Sequence, residues 1–536
     1  MVLEFKNVSL IALLVILSIF FILELQVSIP SPITFGDEAI HTAMSRYMAK
    51  ELEYPMWRTI EGTDAFKNNF GSPPLLQLLE GGFFLIFGFN EIIVKLLLPF
   101  ISLLTALAIY LITKRLFDDK IAFIAAVVFM TIPSVVTYSV TFYVEGLATL
   151  YFALAVLLFI YGIKTENKKF LVLSGAFIAF AYLTEISSLN LIIFLILAFS
   201  YSLIVRKDFD ISKYGVLLVA FIVITSGFLI RNLALYGTPG CYIPVNTLPI
   251  INKIFDNSGC LYKGIQVAEQ EYQYEGRTAD VGSEQSVYRM GIINYLDFAY
   301  GNIWLVVLGI FGGVFLTLQR KDPSSILLLL MLLTFLPYFH FTAPRAEDAA
   351  RNLLGWTPFI AVFTGIYFGR LYEFLQSHQK YIAPIIFLVI IILAYQNITL
   401  KLGTMKDVKQ FSPAFFEACD WARNNLPKDA VLSTVWVHRA AYSCERITVG
   451  NPPDIFLSKD LELIKKTAKN SGITHLFIQK FSLSNKPLSE TYTIDSVKFF
   501  EDNPDNFNKV YENGPSLEQC IQQGGCDGNI IYEIAL

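Results

Sequence analysis

The clearest shortage in this sequence is charge. Only 16% of its 536 residues are charged, whereas 54% are hydrophobic and the mean hydropathy is +0.53. Soluble domains usually carry about 25% charged residues, so this composition excludes an ordinary soluble protein and indicates a membrane protein. The net charge of −4 gives no reason to expect a nucleic-acid partner.

Several motifs are missing as well. The chain has no Gly-rich phosphate loop, no internal repeat and no low-complexity tract, and its five histidines have no metal-ligand spacing. The stretch Asp37-Glu38-x-x-His41 lacks the first histidine of the zinc-protease motif. No cofactor is therefore indicated with certainty, and a divalent cation held by carboxylates is left open.

Long apolar runs stand in place of the missing charge. A bilayer core of about 30 Å requires roughly 20 helical residues. The first run has no small-residue cleavage site, so we interpret it as a membrane span rather than a signal peptide. The sequence predicts eleven spans: 8–30, 91–113, 121–138, 144–163, 170–184, 187–205, 214–231, 300–319, 324–341, 352–369 and 381–398. Joining the fifth and sixth into one span would move the C-terminal part to the other side.

Basic residues and cysteines agree on one orientation. With a cytoplasmic N-terminus, every inner connection is short and basic, while the short outer connections 139–143 and 185–186 have no Lys or Arg. Even numbers of cysteine per outer segment suit disulfides in an oxidising exterior, with free core thiols as the alternative. All six fall in segments that this orientation places outside: Cys241, Cys260, Cys419, Cys444, Cys520 and Cys526.

The chain changes character near residue 400. Helical spacing appears at Pro413–Asn425 and Leu461–Asn470, and β-rich runs at Ala430–Val437, Ile473–Gln479 and Ile530–Ile534. We therefore predict an α-helical polytopic membrane domain followed by a C-terminal α/β soluble domain outside the cytoplasm. The first is expected over 1–399, with outer loops at about 31–90 and 232–299, and the second over 400–536.

The first outer loop opens with two adjacent carboxylates, Asp37 and Glu38, directly after the first span. Carboxylates at a membrane edge are costly unless they are solvated or used. One can accept a proton while the other binds a cation or a sugar hydroxyl. The alternative is that Asp37 only caps the helix that follows and Glu38 only favours its dipole.

Three further features lie on the predicted outer rim. Pro73-Pro74 begins an apolar helix that ends before Gly88, too short to span and therefore expected along the interface. Glu145 stands at the outer end of the fourth span, either functional or a snorkelling surface acid. Arg231-Asn232 and Arg351 stand at the outer ends of later spans, where they could hold a phosphate or pair with acids.

This pattern resembles the GT-C superfamily of membrane glycosyltransferases, especially protein O-mannosyltransferases and the lipid A aminoarabinose transferase. The similarity covers roughly residues 30–240. The Trp-Trp-Asp-Tyr-Gly motif of the related oligosaccharyltransferases is absent, and the comparable place reads Val435-Trp436-Val437-His438-Arg439. The matching residues are Asp37-Glu38, Pro73-Pro74-Leu75, Phe87-Gly88-Phe89-Asn90-Glu91, Glu145 and Arg231-Asn232 followed by Gly237-Thr238-Pro239.

The resemblance implies an inverting glycosyltransferase with a polyprenyl-phosphate-linked sugar as donor. Its implied partners are that donor, membrane lipid and an acceptor protein, lipid or glycan, and its implied location is the cell membrane. Asp37 would be the base and Glu38 would act beside it. The implied substrate-binding residues are His41, Tyr143, Glu145, Arg58, Lys67, Arg231, Asn232 and Arg351.

Two other classes of protein compete with this hypothesis. A secondary transporter or lipid flippase would need acids or broken helices near the bilayer midplane, whereas the acids here cluster at the outer rim. A non-catalytic scaffold with an outer binding domain is the third interpretation. Binding of polyprenyl phosphate together with release of the sugar would distinguish an enzyme from both.

Overall fold

The computed structural model describes residues 5–33, 37–52, 73–185, 188, 190–206, 210–236, 303–320, 326, 329, 351, 354–378, 382–409, 412–480, 483, 492–523 and 526–536. Predictions for Arg58, Lys67, Cys241 and Cys260 lie outside the described residues, as does nearly all of the predicted span 324–341.

The described chain up to residue 409 is largely helical. The helices are α1 (Phe5–Ser28), α2 (Glu38–Glu51), α3 (Leu75–Phe87), α4 (Glu91–Leu116), α5 (Asp119–Thr131), α6 (Pro133–Val140), α7 (Val144–Thr165), α8 (Lys168–Tyr182), α9 (Asn190–Tyr201), α10 (Ile211–Tyr236), α11 (Ile303–Arg320), α12 (Thr357–His378) and α13 (Ile382–Lys409).

Local chemistry explains several helix boundaries. Asn90 caps α4 by accepting the Ile92 N–H at 2.9 Å, and Asp118 caps α5 in the same way. The chain bends by 64° between α5 and α6, because Pro133 has no N–H to donate and begins the second helix. The predicted single span 121–138 is therefore a bent pair of helices.

The number of membrane spans is only partly tested. Within the described residues, the helices long and apolar enough to cross a membrane are Leu10–Ser28, Glu91–Leu116, Val144–Thr165 and Ser212–Ala234, with the bent pair as a fifth. The predicted segment 170–205 forms two separate helices, α8 and α9, of 15 and 12 residues, and its division into two membrane spans stays a prediction. The total of eleven spans stays a prediction.

Small residues allow the membrane helices to approach closely. A Cβ at Gly175 in α8 would lie 2.2 Å from the Leu217 carbonyl oxygen of α10. A Cβ at Gly365 in α12 would lie 2.7 Å from the Ala125 Cβ of α5. Even an alanine at either position would therefore push two helices apart.

The C-terminal part is a small α/β domain with a mixed sheet, as predicted. Its strands lie in the order β2-β1-β3-β5-β4, parallel among the first three and antiparallel at the other two pairings. Its elements are α14 (Pro413–Asn425), β1 (Val431–Ser433), α15 (Val437–Cys444), β2 (Ile447–Val449), α16 (Pro453–Phe456), α17 (Leu461–Asn470), β3 (His475–Gln479), α18 (Ile494–Glu501), β4 (Phe507–Asn513), α19 (Leu517–Gln523) and β5 (Asn529–Ile534).

Two disulfides tie this domain together. Cys419 in α14 pairs with Cys444 in α15, and Cys520 pairs with Cys526. The expectation of disulfides is thus confirmed for these four cysteines.

Helix α15 also contacts the membrane domain. The Tyr442 hydroxyl donates to Glu91 Oε1 of α4 at 2.6 Å, and Arg46 of α2 forms an ion pair with Glu445 at 2.9 Å. The C-terminal domain is therefore held against α2 and the beginning of α4.

Candidate active site

The site begins at Asp37, the residue before α2. Asp37 occupies the cap position, but its side chain makes no capping hydrogen bond. Its Oδ2 instead accepts from Arg351 Nη1 at 2.8 Å, a residue 314 positions away. The interpretation of Asp37 as merely a helix cap is therefore wrong.

Arg351 joins Asp37 to a second acid. Its Nε donates to Glu145 Oε1 at 2.6 Å. Burial alone would lower the pKa of the Arg351 guanidinium, but Glu145 and then Asp37 outweigh burial and raise the pKa far above its ordinary value. Arg351 is therefore a fixed cation between two carboxylates.

Tyr143 closes one side of this arrangement. Its ring lies under the Arg351 guanidinium, whose central carbon is 4.7 Å from the ring centroid. Its hydroxyl oxygen accepts the backbone N–H of Asp37 at 3.2 Å. Burial, and after it the charge of Asp37, raises the pKa of the Tyr143 hydroxyl. The hydroxyl therefore stays protonated and acts as a hydrogen-bonding group.

The neighbouring carboxylate, Glu38, is buried in the protein. Its side chain is 1% exposed, and its Oε1 accepts the Phe142 backbone N–H at 2.7 Å. That bond joins the start of α2 to the segment between α6 and α7. Glu38 therefore positions the acid next to it and the chain around Tyr143.

One turn further along α2, His41 is also buried, at 8% exposure. Its Nδ1 lies 2.8 Å from the Gln77 side-chain amide of α3. This contact links α2 to α3.

Exposure separates the two carboxylates that hold Arg351. The side chain of Asp37 is 40% exposed, whereas that of Glu145 is only 9% exposed. Asp37 Oδ2 is held by Arg351, while the other oxygen points to no hydrogen-bond partner among the residues that the structure describes. Asp37 is therefore the more accessible of the two acids, and Glu145 is the buried one.

The remaining predicted residues lie in two groups. At the end of α10, Arg231 donates to the Asn232 side chain at 3.1 Å. Arg58 and Lys67 lie outside the described residues. As for metals, the described ranges contain no three His, Cys, Asp or Glu side chains arranged around a shared point.

Arg439 of α15 is a residue that sequence reasoning missed. Its guanidinium lies 4.7 Å from the Trp436 ring centroid. Burial lowers the pKa of Arg439, while the nearby Tyr143 and Glu38 act in the opposite direction. The soluble domain therefore adds a cation near the site. The only sequence signal for Arg439 was its position in Val435–Arg439, the segment that stands where oligosaccharyltransferases have their Trp-Trp-Asp-Tyr-Gly motif.

Glu80 of α3 was also missed. It is fully buried between α2 and α3, and burial raises its pKa to about 8, partly offset by the hydroxyls of Ser45 and Thr42. Gln77, Glu80 and Gly81 form one small or polar face on this otherwise apolar helix. That spacing was the available signal.

The comparisons with known proteins agree with this architecture. A family model described as dolichyl-phosphate-mannose-protein mannosyltransferase matches residues 71–230. No curated protein sequence matches the chain.

Solved structures resemble the whole chain. The apo oligosaccharyltransferase of Archaeoglobus fulgidus has a TM-score of 0.65 and 12% identity, covering 95% of this chain and 81% of its own. Apo ArnT from Cupriavidus metallidurans has a TM-score of 0.64 and 11% identity, covering 99% and 98%. ArnT bound to undecaprenyl phosphate has a TM-score of 0.60 and 11% identity, covering 98% and 97%. At such low identity the likeness establishes the fold, and the predicted fold class is confirmed.

Proposed function

We propose that this chain, which has the fold of the GT-C superfamily, transfers a sugar from a polyprenyl-phosphate donor to an acceptor on the outer face of the membrane. The observation that carries the proposal is the partly exposed Asp37 carboxylate, held by Arg351 against the buried Glu145. A reactive carboxylate fixed at the rim of a membrane domain suits an acceptor arriving from water and a donor arriving from lipid.

In the proposed reaction, the acceptor hydroxyl oxygen attacks the anomeric carbon of the donor sugar. Its proton passes to Asp37 as the new C–O bond forms. The bond between the anomeric carbon and the phosphate oxygen breaks at the same time, and polyprenyl phosphate leaves with the electron pair. Attack opposite the leaving group inverts the anomeric configuration. The proton on Asp37 then returns to solvent.

Arg351 has a positioning role in this mechanism. Two of its three nitrogens are already bonded to carboxylates, so we assign it to orienting Asp37 rather than to gripping phosphate. Arg231, Arg58 and Lys67 remain the candidates for holding the donor phosphate. Glu38, His41 and Tyr143 keep the start of α2 in place through their contacts with Phe142, Gln77 and the Asp37 backbone.

A lipid-linked donor follows from the predicted orientation and is supported by one of the relatives. A cytoplasmic nucleotide sugar could not reach a site on the outer face. ArnT from Cupriavidus metallidurans, which shares this fold, has been solved with undecaprenyl phosphate bound. We extend that carrier chemistry to this chain, together with an outer location for its C-terminal domain.

The test uses membranes that contain the full-length protein and a panel of radiolabelled polyprenyl-phosphate sugars. We expect one label to leave the lipid and appear on an acceptor. Asp37→Asn should lower the transfer rate by at least about 100-fold, the range that a positioned base contributes.

The matched control is Asp495→Asn. Asp495 is also an aspartate near a cation, with Lys459 Nζ at 3.7 Å, but it is exposed and lies in α18 of the soluble domain. This variant should keep full activity. Full activity in a folded Asp37→Asn protein would contradict the mechanism, and label that crosses the membrane still attached to its lipid would indicate a flippase.

A further inference from the structure

A cavity of about 190 Å³ lies where the soluble domain meets the first outer segment. Aromatic rings form much of its wall: Phe84 and Phe89 from the membrane side, and Phe416 and Tyr442 from the soluble domain. Both parts of the chain therefore build it, and it is separate from the group around Asp37, Arg351 and Glu145.

The charged groups of the wall balance one another. Arg46 pairs with Glu445 at 2.9 Å, and Arg423 approaches the same glutamate at 3.9 Å. Glu91 accepts the Tyr442 hydroxyl at 2.6 Å. Two arginines face two glutamates, so the wall has no net charge, and its polar atoms are held in place by their neighbours.

This balance limits what the cavity can bind. An anion or a cation would meet as much like charge as opposite charge. A purely apolar ligand would strip water from four charged side chains without replacing their hydrogen bonds, which is costly. A neutral ligand with hydroxyl groups on its edge and C–H groups on its faces can satisfy the charged groups and pack on the rings.

The volume of the cavity also favours a small ligand. The cavity is smaller than the roughly 300–1,000 Å³ typical of sites for drug-sized ligands. It therefore suits a small unit such as one sugar ring. The Arg46 guanidinium lies 5.3 Å from the Phe89 ring centroid. The wall therefore offers an aromatic face and a hydrogen-bond donor side by side.

The cavity also lies on the same helix as the proposed base. Arg46 follows Asp37 by nine residues, which along α2 corresponds to about 13 Å at roughly 1.5 Å per residue. Ile33, close before Asp37, is also part of the wall. An oligosaccharide could thus bind one ring in the cavity while another of its rings lies beside Asp37.

We propose that this cavity binds a neutral sugar ring of a glycan acceptor, so that the acceptor is an oligosaccharide. This inference rests on the proposed function. It adds the substrate class and a subsite that selects it.

The test measures binding without requiring transfer. Saturation-transfer NMR on the full-length protein in detergent would use three neutral trisaccharides: mannotriose, maltotriose and cellotriose. At least one should bind. Phe416→Ala and Arg423→Gln should each weaken that binding by about tenfold or more, corresponding to 1.4 kcal/mol.

Two matched variants control for general damage. Phe499→Ala removes a half-buried ring elsewhere in the soluble domain. Arg370→Gln removes an arginine that pairs with Glu373, three residues away, as Arg423 pairs with Asp420. Both should bind the trisaccharide as the unaltered protein does. Thermal unfolding of each variant shows whether it is folded.

The outcomes separate this inference from the proposed function. If no trisaccharide binds, or if the cavity variants bind it as well as the controls do, the cavity proposal is overturned, even when Asp37-dependent release of sugar from the lipid is observed. If trisaccharides bind but no polyprenyl-linked sugar is ever released, the proposed function fails and the cavity remains a carbohydrate site.

Discussion

The residues around Asp37 in the membrane domain and the C-terminal soluble domain are stabilised by contacts of different kinds. Around Asp37 the decisive contacts join residues 314 and 206 positions apart in the chain, and all of them involve charge. In the soluble domain, the disulfides join cysteines only 25 and 6 positions apart. The first region depends on the whole membrane domain being assembled, whereas the second is secured by neighbours in sequence.

The two regions also differ in what their contacts do: those around Asp37 pair charges, whereas those in the soluble domain stabilise a sheet. Burying charges is expensive and is repaid only when each has its partner. Around Arg351, each of the two carboxylates is therefore paired with the same cation. The soluble domain instead has a covalently braced sheet whose helix α15 contacts the membrane domain through Tyr442.

The largest effect should come from breaking the charged group. Arg351→Gln leaves Asp37 and Glu145 close together without their cation. We expect transfer to fall by at least about 100-fold. Stability should fall by about 3 kcal/mol, the low end for a buried pair, because Arg351 is 26% exposed.

Transfer rates and thermal unfolding in detergent would measure both effects. The double variant Arg351→Gln with Glu145→Gln should regain much of the stability but not the activity. If Arg351→Gln alone were as stable and active as the unaltered protein, the long-range pairing would have no role.

The next effect concerns the soluble domain. Replacing Cys419 and Cys444 by serine opens a loop of 25 residues, and loss of such a disulfide costs about 3 kcal/mol. Replacing Cys520 and Cys526, only 6 positions apart, should cost less. Thermal unfolding of the full-length variants would rank them. Equal losses, or a larger loss for the short loop, would contradict this chain-entropy explanation.

A graded effect, which sets in only as the pH rises, should follow from Glu80. Its pKa in the folded protein is about 8, above the ordinary value of 4.5, because it is buried. The folded state therefore binds more protons than the unfolded state between these values. This contribution to stability is fully present below pH 4.5 and is lost as the pH rises through 8, by about 1.4 kcal/mol per pH unit.

Glu80→Gln should remove that slope. Followed from pH 6 to pH 9, the thermal midpoint of the unaltered protein should therefore fall relative to that of the variant, because Gln resembles the protonated carboxyl and has no proton to lose. Parallel pH profiles would show that Glu80 does not titrate as its burial predicts. Glu533→Gln, on an exposed strand position, provides the control and should keep the original slope.

Much of the fold was predictable because its signals are local. The helices Pro413–Asn425 and Leu461–Asn470 have the predicted bounds, since apolar spacing and caps such as Ser412 and Asp460 act within a few residues. Strand β4 escaped prediction because most of its residues are polar, all but one are at least partly exposed, and it forms an edge of the sheet. The bend at Pro133 was visible in the sequence as a proline but was not used.

The candidate site was predictable only in part. Asp37, Glu145 and Arg351 each stood out singly, as charges beside apolar spans. Their mutual pairing, and the arrival of Arg439 from the soluble domain, had no sequence signal, because each contact joins separate elements.

By itself, the sequence determined that this is a membrane protein with a soluble C-terminal domain, and it singled out Asp37 and Glu38 as the acids to consider. Those properties follow from composition, periodicity and residue type, which act over short stretches of chain. Only the tertiary structure decided that Asp37 does not cap its helix but pairs with Arg351, and that a charge-balanced cavity forms at the domain junction. Both depend on helix packing, which brings distant residues within hydrogen-bonding range.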